Sequence, residues 1–162
     1  MDGQSAIALK GVVKAFRDFT LDNVTLSVPE GTICGLVGEN GAGKTTLIRL
    51  LMGAIRADAG EIAVLGRSPR SPDFREAKED VGVVLDDAYF PEVMTALQVG
   101  KVMRGAYRRW DAARYSEYLR RFELPPKKPF KEYSRGMRMK LAISVALSHN
   151  AKLLVLDEAT AG

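Results

Sequence analysis

Positions 38–45 of this 162-residue chain read Gly38-Glu39-Asn40-Gly41-Ala42-Gly43-Lys44-Thr45, a fit to G-x-x-x-x-G-K-[ST], and Thr46 follows. Residue types in this order suit one kind of chemistry. Glycines let the backbone curl around an anion without Cβ clashes, and successive N–H groups then point inward at phosphate oxygens. A helix opening at the end of the motif adds the positive end of its dipole to that field. Lys44 is expected to reach the β- and γ-phosphates, with the Thr45 hydroxyl on Mg²⁺. A merely flexible glycine turn is the competing reading. An apolar run before the motif and helical spacing after it favour a phosphate loop, and so a bound nucleoside triphosphate.

A second constellation is Leu153-Leu154-Val155-Leu156-Asp157-Glu158, an apolar strand ending in two acids. A carboxylate at the C-terminal end of a buried parallel strand faces the crevice where ligands bind. Asp157 is expected to hold Mg²⁺ through its water shell, and Glu158 to orient or deprotonate an attacking water. Taken alone, such a string is more often a strand end followed by a solvated turn. The phosphate loop upstream reverses that balance.

The elements that must position these groups follow from periodicity. Residues 6–15 and 20–28 alternate apolar and polar, as half-exposed antiparallel strands do. Residues 32–37, TICGLV, are short and almost wholly apolar, which predicts a strand buried on both faces with Cys34 as a packed thiol. Residues 45–54 have helical spacing, 57–67 read as a turn and a strand, and 81–85 and 153–156 as two further buried strands. Strand, loop, helix and more buried strands predict a parallel sheet with covering helices. Between positions 86 and 150 the pattern becomes helical, over 94–107, 111–122 and 135–148. Asp111 and Ser134 are expected as N-caps, and Pro125 and Pro126 as a break between the second and third helices.

Composition bounds the rest. Hydrophobic residues are 46% and charged residues 27%, close to ordinary globular usage, which excludes disordered, collagenous and disulfide-scaffold classes. One cysteine cannot form an internal bridge. No apolar run approaches the roughly 18 residues of a membrane span, and MDGQSAIALK has no apolar leader core, so the expectation is a soluble cytosolic α/β protein. Lys and Arg number 24 against 20 Asp and Glu, a net +4. Positions 101–140 alone hold 13 cations and 4 acids, so they carry +9 and leave −5 to the remainder. A solvated helical face is the first reading of this excess. A docking surface for an acidic partner or an anionic membrane comes second, and nucleic acid last.

By GENGAGKTT, LLVLDE and the Tyr133-Ser134-Arg135-Gly136-Met137 stretch, the chain resembles, over essentially its whole length, an ATP-binding cassette (ABC) ATPase, the motor subunit of ABC transporters. YSRGM sits where the family's signature sequence, usually S-G-G-Q, precedes the second acidic strand. The serine and second glycine are kept, while Arg135 and Met137 depart from it. The Y-S-x-G-M form, with the YRRWD and FELP strings, is similar to a bacterial exporter-type branch. The resemblance implies a P-loop NTPase core with a parallel sheet (1–86 and 150–162), carrying an N-terminal antiparallel β subdomain. It also implies an inserted α-helical subdomain (87–149). ATP and Mg²⁺ would be bound by Gly38, Glu39, Asn40, Gly41, Ala42, Gly43, Lys44, Thr45 and Thr46. Phe16 would stack on adenine. Ser134 and Gly136 would meet the γ-phosphate held by a second protomer, in a head-to-tail dimer of this chain with itself or with a paralogue. Thr45, Asp86 and Asp157 would serve the metal, and Glu158 and Lys44 catalysis. Asp86 stands where the family usually has glutamine; it keeps a metal-facing oxygen but loses the amide donor, and adds negative charge near Glu158.

The resemblance further implies ATP hydrolysis that drives a separate transmembrane permease subunit from the inner face of the cell membrane, with no nucleic acid. A soluble ABC ATPase acting on nucleic acid and a nucleotide-binding, non-hydrolysing fragment are the alternatives. No N-K-x-D string is present to read guanine. In the family a further strand and a switch histidine follow. His149, the one histidine here, precedes LLVLDE, cannot be that residue, and is expected at the surface or as a cap. The C-terminal part of the core is therefore expected to be missing from these 162 residues, which would impair hydrolysis.

Overall fold

The alternating segments near the N-terminus become two long strands, β1 (Ser5–Ala15) and β2 (Thr20–Pro29), paired antiparallel with Leu9 opposite Leu26. A third strand, β3 (Ala59–Val64), pairs antiparallel with β1, giving the order β2-β1-β3. The computed structural model describes residues 5–85 and 90–157, and the chain divides into two units, 1–78 and 79–162.

In the first unit, Leu9, Val12 and Val64 are almost wholly buried, as period-2 strands with one inward face require. Helix α1 (Lys44–Leu51) lies near β3 and buries Leu47, Ile48, Leu50 and Leu51, the apolar stripe of its sequence. A short helix not foreseen in the sequence, α2 (Phe74–Lys78), buries Phe74 and Ala77. Arg67 holds it, with a guanidinium 2.8 Å from the Glu76 carboxylate and donating to the Asp73 carbonyl.

Residues 32–37 do not form the buried strand that their composition predicts. Their backbone is irregular, Ile33 and Val37 are 104% and 94% exposed, and Cys34 is exposed rather than packed. An apolar run becomes a strand only when a neighbour takes its N–H and C=O groups. Among the described residues no strand pairs with this segment.

In the second unit, β4 (Val81–Val84) and β5 (Leu153–Leu156) pair parallel, Val81 opposite Leu153 through Val84 opposite Leu156. Helix α5 (Arg135–Leu147) covers β4. Gly82 permits that approach: a Cβ there would lie 2.7 Å from Leu154 Cδ2 and 2.9 Å from the Ala146 carbonyl oxygen. Helices α3 (Ala96–Ala106) and α4 (Ala112–Arg121) join α5 around Tyr115, Leu119, Phe130, Tyr133 and Leu141. Their starts follow local chemistry. Thr95 and Gln98 form a reciprocal capping box, the Asp111 carboxylate accepts from the Arg114 N–H at 2.8 Å, and Ser134 Oγ accepts from the Met137 N–H at 3.3 Å. The chain is thus α/β, with an antiparallel sheet, a parallel pair and a cluster of helices.

His149 is neither at the surface nor a cap. It is fully buried, stacked on Tyr107 with ring centroids 4.0 Å apart and Nδ1 3.2 Å from the Glu79 carbonyl oxygen. The surroundings supply what the sequence position hides. Asp80 at the start of β4 pairs with Arg109 and, at 3.1 Å, with Lys152, while the Asp111 N–H donates to the Ser148 carbonyl at 2.7 Å. These ties draw the α3–α4 connection over the imidazole.

Candidate nucleotide-binding site

The phosphate-loop residues occupy one turn in the first unit, and the glycines are used where the backbone demands them. Gly41 and Gly43 have φ of 86° and 94°, in the left-handed region that side chains rarely enter. Gly43 is the N-cap of α1, and its carbonyl accepts the Leu47 N–H at 2.9 Å. The Ala42 N–H donates to the Glu39 carbonyl at 3.1 Å and closes the loop. Lys44 folds back over it, its ammonium donating to the carbonyls of Gly38 and Glu39 at 2.8 and 2.9 Å. Both acceptors are neutral, so a phosphate oxygen can replace either without breaking an ion pair. Gly38, Glu39, Asn40, Gly41, Ala42 and Thr45 are exposed, and Thr46 is half-buried. A cradle of this shape, exposed and headed by a helix N-terminus with a cation over it, fits a polyphosphate.

Phe16 lies just past β1, 46% exposed. Its N–H donates to the Phe19 carbonyl at 2.7 Å, closing the β1–β2 turn, and the two rings are 6.4 Å apart at 29°. Lys14 Nζ lies 5.7 Å from the Phe16 centroid and 2.8 Å from Asp58 Oδ1. The hydrogen bond from Lys14, reinforced by the Ala15 N–H, holds the Asp58 carboxyl below its ordinary range. Sequence reasoning singled out Phe16 and passed over Phe19. The signal was available as two aromatics three apart at a turn.

In the second unit the parallel register brings the C-terminal ends of β4 and β5 to one edge. Asp157 follows β5 there, 6% exposed, its N–H donating to the Val84 carbonyl at 2.8 Å. Asp86 and Glu158, the expected partners on this edge, lie outside the described residues. Ser134 and Gly136 open α5 and are exposed. Among the described residues nothing lies within 4 Å of a Cβ built on Gly136, and its φ is not positive, so neither their packing nor the backbone conformation requires glycine at that position.

Comparisons with known proteins place the chain in a family. The family model described as ABC transporter matches residues 21–161. An uncharacterized ABC transporter ATP-binding protein, YdbJ of Bacillus subtilis, is 35% identical over 144 residues, 88% of this chain and 46% of its own length. The daunorubicin resistance ATP-binding protein DrrA3 of Streptomyces coeruleorubidus is 36% identical, across 98% of this chain and 52% of its own length. This chain thus spans about half the length of either relative. Among solved structures, an ATP-binding subunit of an ABC transporter superposes with a TM-score of 0.84 at 23% identity, covering 97% of this chain and 68% of that one. The dimeric cassette MJ0796 bound to ADP and Pi gives 0.80 at 24%, covering 96% and 75%. Those two likenesses establish the fold, and the family match and curated relatives establish more: the chain belongs to the ABC transporter ATP-binding family.

Proposed function

We propose that this chain is the nucleotide-binding portion of an ABC transporter ATPase, binding and hydrolysing ATP to drive a separate membrane-embedded permease. The observation that carries the reading is the turn at 38–45: left-handed Gly41 and Gly43, a helix beginning at Lys44, and an ammonium over the loop that donates to the carbonyls of Gly38 and Glu39. In this reading 1–86 with 150–162 make the nucleotide-binding core and 87–149 the helical subdomain. Loop N–H groups and Lys44 bind the β- and γ-phosphates, and Phe16 offers its exposed ring to adenine. Thr45, Asp157 and Asp86 would hold Mg²⁺, which neutralises phosphate charge when bound. Glu158 takes the proton of the attacking water.

Gly136 supports a role for the signature stretch in a second protomer. A glycine that its own fold does not need suits a helix N-terminus approached closely by a phosphate, so Ser134 and Gly136 act across a head-to-tail dimer. The helical subdomain, where all cations of 101–140 except Lys128 and Arg138 are exposed, is the docking side for the permease at the inner membrane face. The YSRGM, YRRWD and FELP strings support an exporter-type branch.

The test is ATP turnover by the complete protein with its membrane subunit. Glu158→Gln is expected to keep ATP binding, reduce turnover at least about a hundred-fold and hold the ATP-bound dimer closed. Normal turnover in that variant would remove Glu158 as the base, and absence of any ATP-dependent turnover in the parent would remove the reading itself.

A further inference from the structure

We propose that Phe19 is a positioning residue of the nucleotide site, coupling the aromatic platform at Phe16 to the phosphate cradle at Gly43. The inference rests on the assignment of 38–45 as a phosphate loop and of Phe16 as the adenine platform. Its own basis is a contact that neither motif contains. A Cβ built on Gly43 would lie 2.7 Å from Phe19 Cζ, 3.3 Å from its Cε1 and 3.1 Å from Leu21 Cδ1. Real Cβ atoms do not approach carbon so closely, so the Phe19 ring occupies the space that any side chain at position 43 would need. The ring therefore bears on the residue that heads α1 and whose φ of 94° shapes the loop.

The same ring stacks on Phe16, 6.4 Å away, and the Phe16 N–H is bonded to the Phe19 carbonyl. The turn's stem is fixed independently, because Asp58 accepts from both Lys14 Nζ and the Ala15 N–H at 2.8 Å. Phe19 is half-buried while Phe16 is the more exposed of the two, as expected of a support beneath a ligand-facing ring. A shift of the platform thus reaches the loop through one aromatic side chain. Base contact and phosphate cradle are set together.

The coupling is read by titrating the 162-residue chain with MgATP and with magnesium tripolyphosphate, which has no base. Phe16→Ala is expected to weaken ATP about ten-fold, as loss of a stacking platform does, and to leave tripolyphosphate within about two-fold. Phe19→Ala is expected to weaken both ligands about ten-fold, and the double variant to lose less ATP affinity than the product of the single losses. Phe19→Met, which refills the space beside Gly43, recovers most of the tripolyphosphate affinity. It also carries the test if Phe19→Ala fails to fold, through a smaller parallel loss in both ligands.

Unchanged tripolyphosphate affinity in folded Phe19 variants, or ATP losses that simply multiply, overturns the coupling while leaving the nucleotide site intact. A wild-type chain that binds neither ligand overturns the assignment beneath it instead.

Discussion

The imidazole of His149 is packed flat on Tyr107, its Nδ1 bonded to the Glu79 carbonyl, and its Nε2 is buried with no partner among the described residues. Burial is the main cause that lowers its pKa below 6.5; Arg109 acts in the same direction, while the Glu79 carbonyl and carboxylate oppose it. In the unfolded chain the group protonates near its ordinary value, so between the two pKa values the unfolded state binds the extra proton. Stability is therefore full above about pH 6.5 and falls as pH drops below it toward the folded value. The melting temperature is expected to decline by a few degrees between pH 7.5 and pH 5.5, with a smaller decline in His149→Phe, which keeps the ring stack and removes the titration. An equal pH dependence in both proteins would contradict this account. That His149 is interior was not legible in the sequence, because histidine before a strand carries no burial signal of its own. Lys44, Gly41 and Gly43 were legible because spacing alone fixes what their backbone must do. The pairing of Phe19 with Phe16 was legible as two aromatics three apart, but its contact with Gly43 was not, since that partner lies 24 positions away in the chain.

Elements differ in how much of their cause is local. The three helices of the second unit begin where capping chemistry says, at Thr95, Asp111 and Ser134, because a cap acts over three or four residues. The run 32–37 shows the opposite case. Its composition is that of a strand, but strand formation depends on a neighbour, and none pairs with it among the described residues. Between these cases lies β4, legible as an apolar run but with a glycine at its second position that only tertiary packing explains. Gly82 lets α5 and Leu154 close on the strand. Gly82→Val should therefore destabilise the protein by about 1–3 kcal/mol through overpacking, read as a lower denaturant midpoint at unchanged slope. A wild-type midpoint would mean that the close approach of α5 does not constrain this position.

At the scale of the molecule, the residues proposed to serve the nucleotide are found in both units. The phosphate loop and the Phe16–Phe19 pair belong to 1–78, while Asp157 and the Ser134–Gly136 helix start belong to 79–162. Charge divides unevenly as well: 101–140 carry +9 of a chain whose net charge is +4. Among the described residues no helix is long and apolar enough to cross a membrane.

The central claim is that the loop at 38–45 holds the phosphates of ATP, and it is tested most directly by titrating MgATP into the wild-type chain and Lys44→Ala under identical conditions. The account predicts saturable binding by the wild type. It predicts about a hundred-fold weaker binding by a folded Lys44→Ala, the loss of a charge-assisted contact worth about 3 kcal/mol. Equal affinity in the two proteins, or no binding by the folded wild type, would contradict it.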